Sequence, residues 1–292
     1  MGVIRTLINA THRWKLIAIV YCFQLLLALT LGLQVFQVIE ASLGNSMSLG
    51  RMISKFDYTI LQDLFNIHGA SLSPLIGKLR WYILSYMIFS AFINAGIWKA
   101  LINTKEKKDW TSFWAGGAKY FGRFLFLGFL FIILFVVWSA IIWGPYAGSF
   151  FNMMETWLKD SHIIWLGLLL FILWIHGVVF FFVWGAYSRI SIVGGSITNT
   201  WKSFLIGFKL ALRRYFNLLP SLWLFAFVLF LLYYTIIFLE SNVGITSSSL
   251  IVGFFLLQQL SVWLKIAHRI GVYNYLFQDL EKQKTYLKSP IL

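Results

Sequence analysis

The sequence predicts an all-α, polytopic membrane protein with six transmembrane helices and cytoplasmic amphipathic helices lying in the interface. Three observations carry that fold class. Hydrophobic residues make up 60% of the 292 and charged residues only 12%, far from soluble-domain averages. The apolar residues gather into runs of about 20, the length that crosses roughly 30 Å of hydrocarbon. The basic residues behind the +14 net charge flank those runs, where they read as topology signals and headgroup contacts. No aromatic–basic soluble module is present, so nucleic acid is not an expected partner.

In chain order the spans are predicted at Leu16–Phe36, Trp81–Leu101, Phe121–Trp143, Ile163–Tyr187, Leu218–Leu239 and Leu250–Ile270. Arg5, Arg13 and Lys15 precede the first, but it is longer than a signal-peptide core and lacks a small-x-small cleavage site, so it is expected to be retained. The sixth should continue as helix beyond the membrane, with Lys265 and Arg269 at the interface. Nineteen of the 24 Lys and Arg fall on the side shared by the termini and the 99–123 and 189–214 connections. By the positive-inside rule both termini are then cytoplasmic, in a bacterial inner membrane. Trp14, Trp81, Trp98, Trp143, Trp165, Trp184 and Trp263 fall near span ends, as an aromatic belt would place them. Trp138 and Trp174 are deeper and are expected to pack between helices.

Only the outer loop 37–80 is long. Leu49, Met52, Ile53, Phe56, Ile60 and Leu64 recur in it at helical spacing, predicting one or two short helices punctuated by Gly44, Gly50, Gly69 and Pro74. Pro220 is read as a first-turn proline of span five.

Two segments preceding spans echo each other. WTSFWAGGAKYFGRFL (110–125) and WKSFLIGFKLALRRYF (201–216) match without gaps at Trp110/Trp201, Ser112/Ser203, Phe113/Phe204, Gly116/Gly207 and Arg123/Arg214. In the second, Trp201, Phe204, Leu205, Phe208, Leu212, Tyr215 and Phe216 share an arc of roughly 120°, at about 100° per residue. Lys202, Lys209 and Arg213 flank it, with Arg214 on the other side. This is the pattern of a helix lying in a membrane surface with cations toward lipid phosphates. Trp110, Lys119, Arg123, Trp201, Lys202, Lys209, Arg213 and Arg214 are therefore the candidate headgroup contacts. The N-terminus offers a weaker third copy through Ile4, Leu7, Ile8, Thr11 and Trp14. The even spans also end alike, at Gly96-Ile97-Trp98, Gly185-Ala186-Tyr187 and Gly271-Val272-Tyr273. A single transmembrane domain, 1–292, built of three parallel units is expected: 1–103, 104–193 and 194–292, each a surface helix and a hairpin.

On segments 110–125 and 201–216 the chain resembles uncharacterised bacterial six-helix membrane proteins. These are loosely similar to the membrane domain associated with some glycerophosphodiester phosphodiesterases. No segment here reads as the catalytic phosphodiesterase, so the resemblance implies a fold and not an activity.

Chemistry has few places to reside. The span centres carry no Asp, Glu, Lys or Arg, which argues against a carboxylate proton relay. The candidate intramembrane polar residues are Gln24, Asn94, His176, Gln258 and Gln259. His176 has no His, Cys or carboxylate at i±3 or i±4, so a hydrogen bond to backbone or Gln is expected in place of a metal. Asn94 and the two glutamines read as interhelical hydrogen bonds. Cys22 is the single cysteine, which excludes a disulfide within the chain. Asp57 and Asp63 are six apart and do not share a helix face; no nucleophilic triad or phosphate loop has usable context. No catalytic residue, metal or cofactor is expected. The sequence thus favours a non-enzymatic scaffold, accessory or assembly subunit, partnered by the bilayer, anionic headgroups and another membrane protein. The alternative is a permease or flippase-like transporter of a lipidic or uncharged amphipathic molecule. A lipid-acting intramembrane enzyme using Asp57 or Asp63 ranks third.

Overall fold

The computed structural model describes residues 2–43, 58–102, 109–147, 160–195, 197, 199–243 and 248–288. Among them every regular element is a helix: α1 (Val3–Thr11), α2 (Trp14–Leu43), α3 (Tyr58–Ile102), α4 (Asp109–Ala147), α5 (Asp160–Gly194), α6 (Thr200–Asn242) and α7 (Ser248–Lys288). Six are long and apolar enough to cross a membrane: Trp14–Gln37, Gly77–Ile102, Trp110–Gly144, Ile164–Gly194, Thr200–Asn242 and Ser249–Lys282. The chain is thus a multi-pass membrane protein in form. Each sequence-predicted span lies inside one of these helices, give or take one residue at an end.

Packing divides the chain into two compact units, 1–18 with 91–292, and 19–90. In the smaller unit, the Tyr82 hydroxyl donates to the Thr30 carbonyl at 3.1 Å. The Phe23 and Phe89 rings lie 6.0 Å apart. Among the described residues of the outer loop no separate short helix stands: α2 runs on to Leu43, and α3 starts at Tyr58 and continues through positions 69 and 74. An interior proline costs a helix about 3 kcal/mol, which long membrane helices tolerate where neighbouring groups satisfy the freed carbonyl. The stripe residues Leu49, Met52, Ile53 and Phe56, and Asp57, lie outside the described residues; of Ile60, Asp63 and Leu64 only the backbone is described.

In the larger unit the segments 110–125 and 201–216 are likewise not separate surface helices. They are the first halves of α4 and α6, of 39 and 43 residues. At 1.5 Å per residue α6 is about 65 Å long, roughly twice the hydrocarbon core. Asn199 starts it, its side-chain oxygen accepting from the Trp201 and Lys202 amides at 2.9 and 3.4 Å. Pro220 is then an interior proline of α6, not a first-turn one. Long membrane helices tolerate this because neighbouring helices restabilise the freed carbonyl.

Close packing of these first halves organises the unit. Ser112, Phe113, Gly116, Tyr120, Phe124 and Leu127 are buried on α4, and Ser203, Phe204, Gly207, Ala211, Tyr215 and Leu218 occupy the same register on α6, also buried. On α1 the buried residues are Val3, Thr6 and Ala10. A methyl group on Gly116 would meet the Lys99 side chain and stand 3.1 Å from the Ala95 carbonyl oxygen; one on Gly207 would stand 2.7 Å from the Ser188 backbone nitrogen. On Gly271 it would meet Leu7 at 3.0 Å. So α4 presses on the end of α3, α6 on the end of α5, and α1 on the end of α7. Absent Cβ atoms make each approach possible.

Candidate functional site

Two features of the larger unit follow from that packing: a three-sided surface on α6, and a polar cluster where the ends of α3 and α7 contribute side chains.

On α6 the protein-facing arc holds Ser203, Phe204, Gly207, Ala211 and Tyr215, with Arg214 at its margin. Arg214 pairs with Asp279 at 3.7 Å, and the Tyr187 hydroxyl donates to the other Asp279 oxygen at 2.9 Å. Arg214 is therefore not a free headgroup contact, as its sequence position had implied. The next arc is apolar and exposed: Trp201, Leu205, Phe208, Leu212 and Phe216, the last 78% exposed. Lys202, Lys209 and Arg213 form a third, exposed arc beyond it. On α4, Trp110 and Lys119 are exposed and Arg123 is half-buried.

The tryptophans split into two populations. Trp14, Trp81 and Trp165 are well exposed, as belt residues would be. Trp98 and Trp184 are instead core residues: Trp98 stacks on Tyr273 at 4.7 Å, and the Trp184 indole donates to the Phe204 carbonyl at 2.8 Å. Trp138 and Trp174 do pack between α4 and α5, the Trp174 indole donating to Ser139 Oγ at 3.0 Å.

The intramembrane polar candidates have the following partners. Gln24 belongs to the smaller unit and is half-buried. His176 Nδ1 lies 2.9 Å from the Ile172 carbonyl, and the Tyr215 hydroxyl donates to the His176 carbonyl at 3.0 Å. Gln258 donates to Glu240 Oε1 at 2.8 Å, and Gln259 is half-buried beside it in sequence. Asn94 alone joins a larger cluster. Its Oδ1 accepts from Arg269 Nη2 at 2.6 Å and from the Tyr273 hydroxyl at 3.1 Å, while Arg269 Nε donates to that same hydroxyl at 3.1 Å. Arg269, expected at the interface with Lys265, thus turns inward.

Arg189 is a second half-buried arginine, at the end of α5. Its guanidinium folds back along α5, with Nη1 3.1 Å from where a Cβ on Gly185 would stand and its carbon 6.0 Å from both the Phe124 and Phe131 ring centres. Its Nε is buried without a hydrogen-bond partner. Arg189 and Arg269 went unrecognised in the sequence because both read as loop-side cations. The available signal was their position within four residues of the Gly-x-Tyr motifs.

An apolar cavity of about 390 Å³ opens between α1, α6 and α7, lined by residues such as Leu7, Ile8, Val228, Leu232 and Leu264. Its polar members Thr11, Thr235 and His268 are each bonded to a backbone carbonyl, and none of the five polar candidates lines it. Among the described residues no group of three or more His, Cys, Asp or Glu could hold a metal ion. No protein-family model, curated protein or solved structure matches this chain.

Proposed function

We propose that this chain is a non-enzymatic scaffold or accessory subunit of a bacterial inner-membrane complex, with both termini in the cytoplasm. The observation that carries the reading is the three-sided surface of α6. One arc is spent on packing within the chain, while the aromatic arc and the Lys202/Lys209/Arg213 arc are left outward. An aromatic arc beside a cationic arc suits the boundary between acyl chains and anionic headgroups.

The three-unit architecture belongs to the same proposal. It is supported by the shared register of burial on α4 and α6, and by α1, where Val3, Thr6, Ala10 and Arg13 align with Phe113, Gly116, Tyr120 and Arg123. The packing of α1 on α7 then closes a cycle in which each lead-in helix seats on the end of an even span. The permease alternative needed several of Gln24, Asn94, His176, Gln258 and Gln259 in one cavity. Asn94, His176 and Gln258 have separate partners, so the scaffold reading is preferred.

The test is gentle extraction of the tagged protein at native expression, followed by quantitative mass spectrometry. A stoichiometric membrane-protein partner supports the proposal. Recovery of the chain alone, with no enriched protein across several detergents and nanodiscs, refutes it.

A further inference from the structure

We infer that the cavity between α1, α6 and α7 is a binding site for one acyl chain. The inference rests on the cavity alone and holds whether or not the protein has a protein partner. What makes the place a cavity and not a bare helix face is α1. Leu7 stands 3.0 Å from where a Cβ on Gly271 would be, so α1 seats on α7, and the same Leu7 lines the cavity. Buried Ala267 lies at the floor, while Ile8, Leu231 and Leu264 are exposed at the mouth. Both α6 and α7 are long and apolar enough to cross a membrane, so a mouth on their sides meets lipid tails before water.

The walls select the ligand class. Among the described residues that line the cavity, eight of eleven are Leu, Ile, Val or Ala and none is Phe, Tyr or Trp, in a chain that is 19% aromatic. A flat ring system would find no ring to stack on; a flexible aliphatic chain finds methyl groups on every side. The polar wall groups offer a ligand no donor. Thr11 and Thr235 donate to the Ile8 and Leu231 carbonyls at 2.7 and 2.8 Å, and His268 Nε2 to the Phe225 carbonyl at 2.9 Å. Water needs two to four polar partners to stay in such a place, and an empty space would forfeit dispersion contacts along its whole lining. Size agrees: a dry cavity of about 150 Å³ admits the six carbons of benzene, so at the same filling about 390 Å³ admits about 16 carbons, one acyl chain of ordinary length. That chain can come from a phospholipid or from a free fatty acid, and the test separates the two.

The full-length protein is placed in phosphatidylcholine nanodiscs containing a rising fraction of phosphatidylcholine with a mid-chain diazirine, irradiated, and its adducts are mapped by mass spectrometry. Ile8, Leu231 and Leu264 should be labelled at least tenfold more than Leu224, Ile237 and Leu256, which are exposed aliphatic residues outside the cavity. Labelling at the cavity should also saturate as the probe fraction rises. Leu264→Trp, which fills the mouth, should lower adducts at Ile8 and Leu231 at least tenfold, while Leu224→Trp leaves them unchanged. Added palmitic acid that abolishes the cavity adducts supports a fatty-acid site; adducts that survive it support a phospholipid tail. Labelling of the wild-type protein that is no stronger at the cavity than at Leu224, Ile237 and Leu256, and that rises linearly at all six, shows bulk tail contact and overturns the site, whether or not the variants fold.

Discussion

Gly207 offers the most direct energetic check on the packing described above. An alanine methyl there would stand 2.7 Å from the Ser188 nitrogen and 2.9 Å from its Cα. Those atoms are backbone, which cannot swing aside as a side-chain tip can. Overpacking costs about 1–3 kcal/mol, and a rigid obstacle places this site in the upper half of that range. Helix propensity works the other way, favouring alanine over glycine by up to about 1 kcal/mol in a helix interior. The net expectation for Gly207→Ala is destabilisation by about 1–2 kcal/mol, or a fall of roughly 3–6 °C in Tm for a protein of this size. Gly122→Ala is the internal control, because a methyl there meets nothing within 4 Å. Only the propensity gain applies, so its Tm should rise by about 2 °C. The assay is thermal unfolding in one detergent, followed by intrinsic tryptophan fluorescence. If Gly207→Ala proved as stable as wild type, the close approach of α6 to α5 would be wrong.

Further outcomes follow from the same contacts. Gly116→Ala should fall in Tm as Gly207→Ala does, since Ala95 carbonyl oxygen stands 3.1 Å from the added methyl. Trp184→Phe keeps most of the ring but loses the donor to the Phe204 carbonyl; about 1 kcal/mol of stability should go with it in detergent unfolding curves. A double-mutant cycle between Tyr187→Phe and Asp279→Ala should return a coupling of about 1 kcal/mol through their 2.9 Å hydrogen bond, and additivity would contradict it. Neutralising Lys202, Lys209 and Arg213 removes contacts worth about 1 kcal/mol each at an anionic surface. The anionic fraction of lipids carried into polymer nanodiscs should drop accordingly, with Tm unchanged.

The spans were legible because their cause is local: about 20 apolar residues in a row leave a chain no other place than hydrocarbon. Gly116 and Gly207 were visible as a matched pair in the two lead-in segments, and each proves to be a point where a Cβ would collide. Helix continuity was less legible. The amphipathic pattern of 201–216 reads the same whether the helix ends at Phe216 or runs on, and nothing before Pro220 or at it stops α6. Arg189 and Arg269 were missed for a similar reason. Positive-inside counting treats every cation near a span end as solvated, whereas a helical side chain leans toward its own N-terminus, here toward the bundle interior. Trp98 and Trp184 failed as belt residues because depth along the span does not reveal which side of the helix faces protein.

Sidedness is where the account is most directly exposed. Cys22 is the single cysteine, so a Cys22→Ala background allows one reporter at a time at Ser46, Thr104, Ser149, Ser196, Ser247 or Ser289, labelled in intact cells with a membrane-impermeant maleimide. The account predicts labelling from outside at 46, 149 and 247, and protection at 104, 196 and 289 until the membrane is opened. Outside labelling at 104, 196 or 289 would invert or break the six-span topology, and the cytoplasmic lead-in surface built on it would fall.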